Sequence, residues 1–169
     1  MEYKIYKSNI LSDITIIEPT VFHDFRGDIY SSYDDSLLSL LPKNMRFIHD
    51  KFVTSKEGVL RGMHGDNKTW KLISCVHGVV YAVVVDWRGI YPTFKKWESF
   101  VLSPINQKHI LIPPGFLNGY YACKDSVYHY KLAYNGKYAD VMDQITMKWD
   151  SLGIIWPCTN PILGERDKL

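Results

Sequence analysis

The sequence predicts an all-β protein, and three observations carry that prediction. Tyr and Trp are abundant, at 12 and 5 of 169 residues, and such side chains suit the pleated, half-buried surface of a sheet. Val and Ile recur in short runs punctuated by Gly, Pro, Asn or Asp, as in short strands joined by turns. Only one segment, residues 34–42, reads as a clear helix.

The elements follow in chain order. Residues 13–18 read as a strand. In residues 34–42 Asp34, Asp35 and Ser36 offer cap groups, a Leu-rich run follows, and Pro42 supplies the stop. If residues 70–76 are extended, Lys71, Ile73 and Cys75 share one face. Residues 79–85 are apolar almost without interruption, so this strand is expected to be buried on both faces, in the middle of a two-layer structure. Residues 112–120 form a turn-rich corner leading into an aromatic strand. Between residues 127 and 134 a period of two puts Tyr128, Tyr130, Leu132 and Tyr134 on one face and His129 and Lys131 on the other, which points Tyr130 inward.

Length and charge bound the function. A chain of 169 residues is one domain long and buries a substantial core without disulfides or a structural metal. No repeat, low-complexity stretch or linker divides it, and the polar tail from Gly164 is too short to be another domain. The net charge is +2 with dispersed basic residues, which argues against nucleic-acid and polybasic membrane surfaces but leaves room for a small anionic ligand. No apolar run approaches the roughly 20 residues that span a bilayer, and the start Met1-Glu2-Tyr3-Lys4 lacks a signal-peptide layout. A cytoplasmic protein is expected. Cys75, Cys123 and Cys158 are odd in number and widely spaced, which fits reduced core thiols.

The segment Leu60-Arg61-Gly62-Met63-His64-Gly65-Asp66 gathers an Arg, an Asp and a His able to titrate near neutrality, with glycines that let a ligand approach the backbone. Taken alone it favours a hydrogen-bonded structural histidine over a catalytic one. Lys71 reads equally as a buried charge with a partner and as a stem on apolar surface with its head in water. Asn118 both donates and accepts hydrogen bonds.

These segments, with Phe22-His23-Asp24-Phe25-Arg26-Gly27, Val85-Asp86-Trp87-Arg88, Pro92-Thr93-Phe94, Ile112-Pro113-Pro114-Gly115-Phe116, Tyr130-Lys131, Trp149-Asp150 and Ile155-Trp156-Pro157, stand in the order of one known family. Over nearly its whole length the chain resembles the dTDP-4-dehydrorhamnose 3,5-epimerases, cupin-fold enzymes acting on nucleotide-linked 4-keto-6-deoxy sugars. The resemblance implies a single cupin-type jelly-roll domain over residues 1–169, an isomerase that inverts C3, or C3 and C5, without a cofactor or metal, a nucleotide-diphosphate sugar as substrate, and a role in making surface-polysaccharide sugars. It also implies a homodimer built through N-terminal strands, with which the Tyr3-Lys4-Ile5-Tyr6 start is compatible.

By the same resemblance His64 matches the base, Asp167 its acidic partner, Tyr130 the proton donor and Lys71 a substrate-binding lysine. Arg26 and Arg61 match residues that hold the nucleotide or its diphosphate. Tyr138 matches the stacker on the base, with Tyr134 as rival, and Asp143 falls in register with the family. The chemistry suits these residue types. Removing a proton beside a ketone gives an enolate, so a base and a charge at the oxygen are both needed, which His64 and Lys71 would supply. An Asp on the imidazole would fix its tautomer and stabilise the imidazolium. Inversion further needs a proton from the opposite face, the part given to Tyr130.

The sequence departs from the family pattern at four positions. Asn118 replaces a His, Ser31 replaces a Glu that contacts thymine, and His49 and Lys51 replace Gln and Asn. Loss of a carboxylate that reads a pyrimidine edge points to a different nucleotide sugar, with a GDP-linked heptose or hexose expected and a dTDP-linked hexose as the alternative. Competing readings are a metal-dependent cupin, for which a His-x-His pair near His64 is missing, and a binding-only cupin, for which loss of the base, its partner or the donor would be expected.

Overall fold

The computed structural model describes residues 2–168; Met1 and Leu169, the ends of the expected domain, lie outside the described residues. Among the described residues there are fourteen strands: β1 (Tyr3–Lys7), β2 (Thr15–Pro19), β3 (Phe22–Asp24), β4 (Gly27–Ile29), β5 (His49–Ser55), β6 (Val59–Gly65), β7 (Trp70–His77), β8 (Val80–Asp86), β9 (Trp97–Leu102), β10 (His109–Ile112), β11 (Phe116–Ala122), β12 (Ser126–Ala133), β13 (Ile145–Thr146) and β14 (Ile162–Leu163). One sheet runs β1-β2-β10-β7-β12-β5. The second runs β13-β6-β11-β8-β9, with β14 alongside β6, and β3 and β4 make a separate hairpin. Two largely antiparallel sheets packed face to face form the jelly-roll sandwich of the cupins, so the all-β expectation holds.

The strand β8 shows why the sheets stack. Val80, Ala82 and Val84 point between the sheets and meet Ile73, Cys75, Ile110 and Ile112 of the first sheet. Val83 and Val85 point the other way and are covered by Met147, Ile154 and Trp156 of the C-terminal segment. Each fully buried Val contributes about 1.5–3 kcal/mol, and this strand collects that gain on both faces, as its unbroken apolar run predicts.

The expected helix is a shorter and tighter one. Residues 35–40 form a 3-10 helix, capped by Asp34, whose carboxylate accepts from the Ser36 amide. With Pro42 closing the run, too few residues remain for an α-helical nucleus. Its Leu37, with Leu41, packs on Ile17, Leu72 and Leu111 and covers the outer face of the first sheet. A second 3-10 turn, Glu165–Asp167, lies in the tail. Cys75, Cys123 and Cys158 are free. No helix among the described residues is long and apolar enough to cross a membrane.

Candidate active site

The core fills one end of the space between the sheets; the other end is a cavity of about 460 Å³. Lys51 of β5, Lys71 of β7 and Tyr128 and Tyr130 of β12 face it from the first sheet. Arg61 and His64 of β6 and Asn118 of β11 face it from the second, and the turn carrying Arg166 and Asp167 reaches it from the tail.

Arg61 and His64 are three residues apart, so a regular strand would send them to opposite faces. A bulge solves this: Asn118 pairs with His64 but Tyr120 pairs with Arg61, so β6 spends one residue more than β11. The bulge depends on two glycines in contact. Gly62 has φ +120°, and a Cβ there would lie 2.5 Å from the Gly119 Cα; a Cβ on Gly119 would lie 2.7 Å from both the Arg61 carbonyl oxygen and Met63 Sδ.

His64 is held from two sides. Its Nε2 lies 2.7 Å from Asp167 Oδ1, both side chains being largely buried. This pairing puts the carboxylate against the imidazole, where it favours a positive charge on the ring. At the other nitrogen, Nδ1 meets Thr146 Oγ1 at 3.3 Å. Thr146 and His64 are cross-strand partners of β13 and β6. Arg166 Nη2 donates to Thr146 Oγ1 at 3.1 Å and to Gln144 Oε1 at 3.2 Å.

Lys71 crosses the gap and joins the sheets. Its Nζ donates to Asn118 Oδ1 at 2.8 Å and to the His64 carbonyl at 3.3 Å, while Asn118 Nδ2 donates to the Tyr128 hydroxyl at 3.4 Å. The two ends of Asn118 are therefore used by one cation and one hydroxyl. Burial pushes the Lys71 ammonium down to about 8; the Asp66 carboxylate opposes that shift and the Arg166 guanidinium adds to it. Burial also raises the Tyr130 hydroxyl, against the pull of the Lys51 and Arg61 cations, and so keeps it protonated.

At the mouth, Arg61 Nε donates to Ser55 Oγ at 3.0 Å. Lys51 Nζ donates to the Tyr138 hydroxyl at 3.1 Å and sits 4.6 Å over that ring. His49 packs edge-on against Tyr138 at 4.9 Å, and the Tyr134 hydroxyl meets His49 Nδ1 at 3.3 Å. Tyr138 lines the cavity and Tyr134 stands behind it.

Of the residues singled out in the sequence, His64, Asp167, Tyr130, Lys71, Arg61, Lys51, Asn118 and Tyr138 meet at this one cavity, and His49 supports its rim. Arg26, Ser31 and Asp143 do not line it. Arg26 is on the exposed β3-β4 hairpin, paired with Asp24 at 2.5 Å; Ser31 follows that hairpin; and Asp143 is exposed in a turn whose Asp140 faces the cavity instead. Sequence reasoning missed Thr146, Arg166 and Gln144, and placed Tyr128 on the face of Tyr130 without giving it a part in the site. A two-residue strand has no periodicity to betray it, and Arg166 was visible only as the middle of Glu165-Arg166-Asp167. Among the described residues, no group of three or more His, Cys, Asp or Glu is placed to hold a metal.

Comparison with known proteins bears on this arrangement. The sequence model of the family described as dTDP-4-dehydrorhamnose 3,5-epimerase matches residues 8–169. The dTDP-4-dehydrorhamnose 3,5-epimerase of Shigella flexneri is 34% identical over 163 residues, covering 93% of this chain and 89% of that protein. A crystal structure of the Legionella pneumophila dTDP-6-deoxy-D-glucose-3,5-epimerase in complex with dTDP-4-keto-L-rhamnose superposes with a TM-score of 0.89 at 31% identity, covering 98% of this chain and 90% of that one. The Bacillus anthracis dTDP-4-dehydrorhamnose 3,5-epimerase with TDP and PPi bound gives 0.89 at 31%, covering 99% and 98%.

Proposed function

The chain belongs to the dTDP-4-dehydrorhamnose 3,5-epimerase family, and from that premise we propose that it inverts C3 and C5 of a dTDP-linked 4-keto-6-deoxyhexose by proton transfer through an enolate, with residues 1–169 acting as one domain. The observation that carries this reading is the placement of base and donor on facing sheets: His64 on β6 and Tyr130 on β12. A sugar ring lying between them has one face toward each. His64 takes the proton beside the ketone, Asp167 stabilises the resulting imidazolium, Lys71 meets the enolate oxygen, and Tyr130 returns a proton on the other face. Arg61, with its planar fork, suits a diphosphate oxygen, and Tyr138 offers a face to the base.

The carrier is taken as thymidine diphosphate. The GDP-linked expectation has no counterpart in the names of the relatives above. Arg26 is outside its own cavity, so its proposed role in holding the nucleotide is exercised on a second copy of the chain, in a homodimer.

The test is turnover in heavy water. Incubated with dTDP-4-keto-6-deoxyglucose, the enzyme should place deuterium at C3 and C5, read by NMR; label at C3 alone would reduce it to a 3-epimerase. His64→Asn and Tyr130→Phe should each lower kcat by about 100-fold or more, the usual scale of acid-base catalysis, and normal rates in both would sink the mechanism. Titration should show dTDP binding more tightly than GDP, and the reverse order would restore the guanosine reading.

A further inference from the structure

The direction of one hydrogen bond in the cavity wall is fixed by charge. A lysine ammonium only donates, so the oxygen of the Asn118 amide faces Lys71 Nζ, 2.8 Å away, and its NH2 group faces the Tyr128 hydroxyl at 3.4 Å. With the amide turned around, the Lys71 and Asn118 donors would oppose each other. The Tyr128 oxygen therefore accepts, and the hydroxyl hydrogen is left without an acceptor among the described residues. Tyr128 is 2% exposed, yet it lines the cavity. Its ring stacks on Tyr120 at 4.2 Å, which fixes where the hydroxyl stands. Burial raises that hydroxyl well above its ordinary value, so the hydrogen stays on the oxygen. A buried donor left unpaired is costly, and the cavity is the side from which a ligand can supply the acceptor.

We infer that Tyr128 is a substrate-contacting residue whose hydroxyl donates to the sugar oxygen next to the one met by Lys71, and that Asn118 is the positioning residue that sets this direction. Lys71 and Tyr128 stand on the paired strands β7 and β12 and flank one amide, so their two donors are presented together. In a 4-keto-6-deoxyhexose the oxygen beside the ketone is the C3 hydroxyl. A sugar with its ketone at Lys71 therefore offers that hydroxyl to Tyr128. The contact moves no proton to carbon: Tyr128 keeps its hydrogen, and Tyr130 remains the donor in the inversion. Its effect is on selection, because a sugar without an oxygen at C3 leaves the Tyr128 donor buried and unpaired, and unmatched polar groups discriminate between ligands.

This inference rests on the reading of the cavity as a nucleotide-sugar site, and its test is a binding measurement that needs no turnover. The probe is dTDP-glucose, which carries the C3 hydroxyl but no ketone and so binds without reacting. In titration calorimetry of the full-length protein, Tyr128→Phe should weaken dTDP-glucose by about tenfold and leave dTDP, which lacks the hexose, unchanged. The ring and its stacking on Tyr120 are kept, so Tm should stay at the wild-type value. Wild-type affinity for dTDP-glucose, or an equal loss with dTDP, would overturn the proposal. Asn118→Asp presents acceptors at both ends, which draws the Tyr128 hydrogen away from the cavity. Adding Tyr128→Phe to that variant should then cost less than about twofold more, and a further tenfold loss would overturn the part given to Asn118. A protein that shows the expected binding pattern yet places no deuterium on the keto sugar fails the epimerase reading and keeps this contact.

Discussion

At the scale of single residues, Lys71 makes the most specific prediction, because its burial acts in opposite directions on activity and on stability. Its ammonium is pushed down to about 8 in the folded chain, against 10.5 for an ordinary lysine. Between those values the unfolded chain binds more protons than the folded one, so stability rises as pH rises through the window. The shift corresponds to about 3 kcal/mol at most, a visible part of a typical 5–15 kcal/mol total. The same loss of charge removes the cation that meets the enolate oxygen. Activity should therefore fall above pH about 8 while the denaturation midpoint climbs, and Lys71→Gln should lower kcat by about 100- to 1000-fold. A rate that stays flat to pH 10 would take Lys71 out of the chemistry.

At the scale of elements, the catalytic wall depends on the contact between β6 and β11. Gly119→Ala puts a methyl group 2.7 Å from the Arg61 carbonyl oxygen and Met63 Sδ, so the strands separate or the bulge is lost, and His64 leaves its place opposite Tyr130. Overpacking of this kind costs about 1–3 kcal/mol, or about 2–4 °C in Tm for each kcal/mol in a chain of this size, and turnover should fall further than that loss explains. Gly89→Ala, where an added Cβ meets nothing within 4 Å, is the matched control and should behave as wild type. This bulge also marks where the sequence stops being legible. The unbroken apolar run announced β8, and a period of two turned Tyr130 inward and His129 outward; His129 is buried on that outer face against Ser74 Oγ at 3.2 Å and Asp50 Oδ1 at 2.5 Å. Periodicity assumes an even pleat, so it could not place Arg61 and His64 on one wall. Nor could it foresee that two residues of β13 would bring Thr146 to the imidazole. Ordered motifs named the site residues; the contacts that tune them are long-range and leave no local pattern.

At the scale of the whole molecule, the β3-β4 hairpin is the element that the single chain does not account for. Phe25 is 97% exposed, and Phe22 and Ile29 are each 60% exposed, which concentrates apolar surface on one short projection beside Arg26. Scattered exposed apolar residues are ordinary, but a cluster on a projecting hairpin marks a contact surface. A second copy covering it would bury these side chains and deliver Arg26 to the neighbouring cavity, where Arg61 already waits at the mouth. Sedimentation of the wild-type protein at micromolar concentration should give a dimer, and Phe25→Asp should shift it toward monomer. Arg26→Ala should leave the dimer intact and raise KM by about tenfold, the loss expected for one charged hydrogen-bonded contact to a phosphate. Mixing Arg26→Ala with His64→Asn then decides between the two locations. If Arg26 serves the partner's cavity, the mixed dimer pairs the intact His64 of one copy with the lost Arg26 of that same copy, and receives Arg26 from the other, so one wild-type site per dimer returns. If Arg26 serves its own cavity, no mixed dimer contains an intact site, and activity stays at the level of the two variants measured apart.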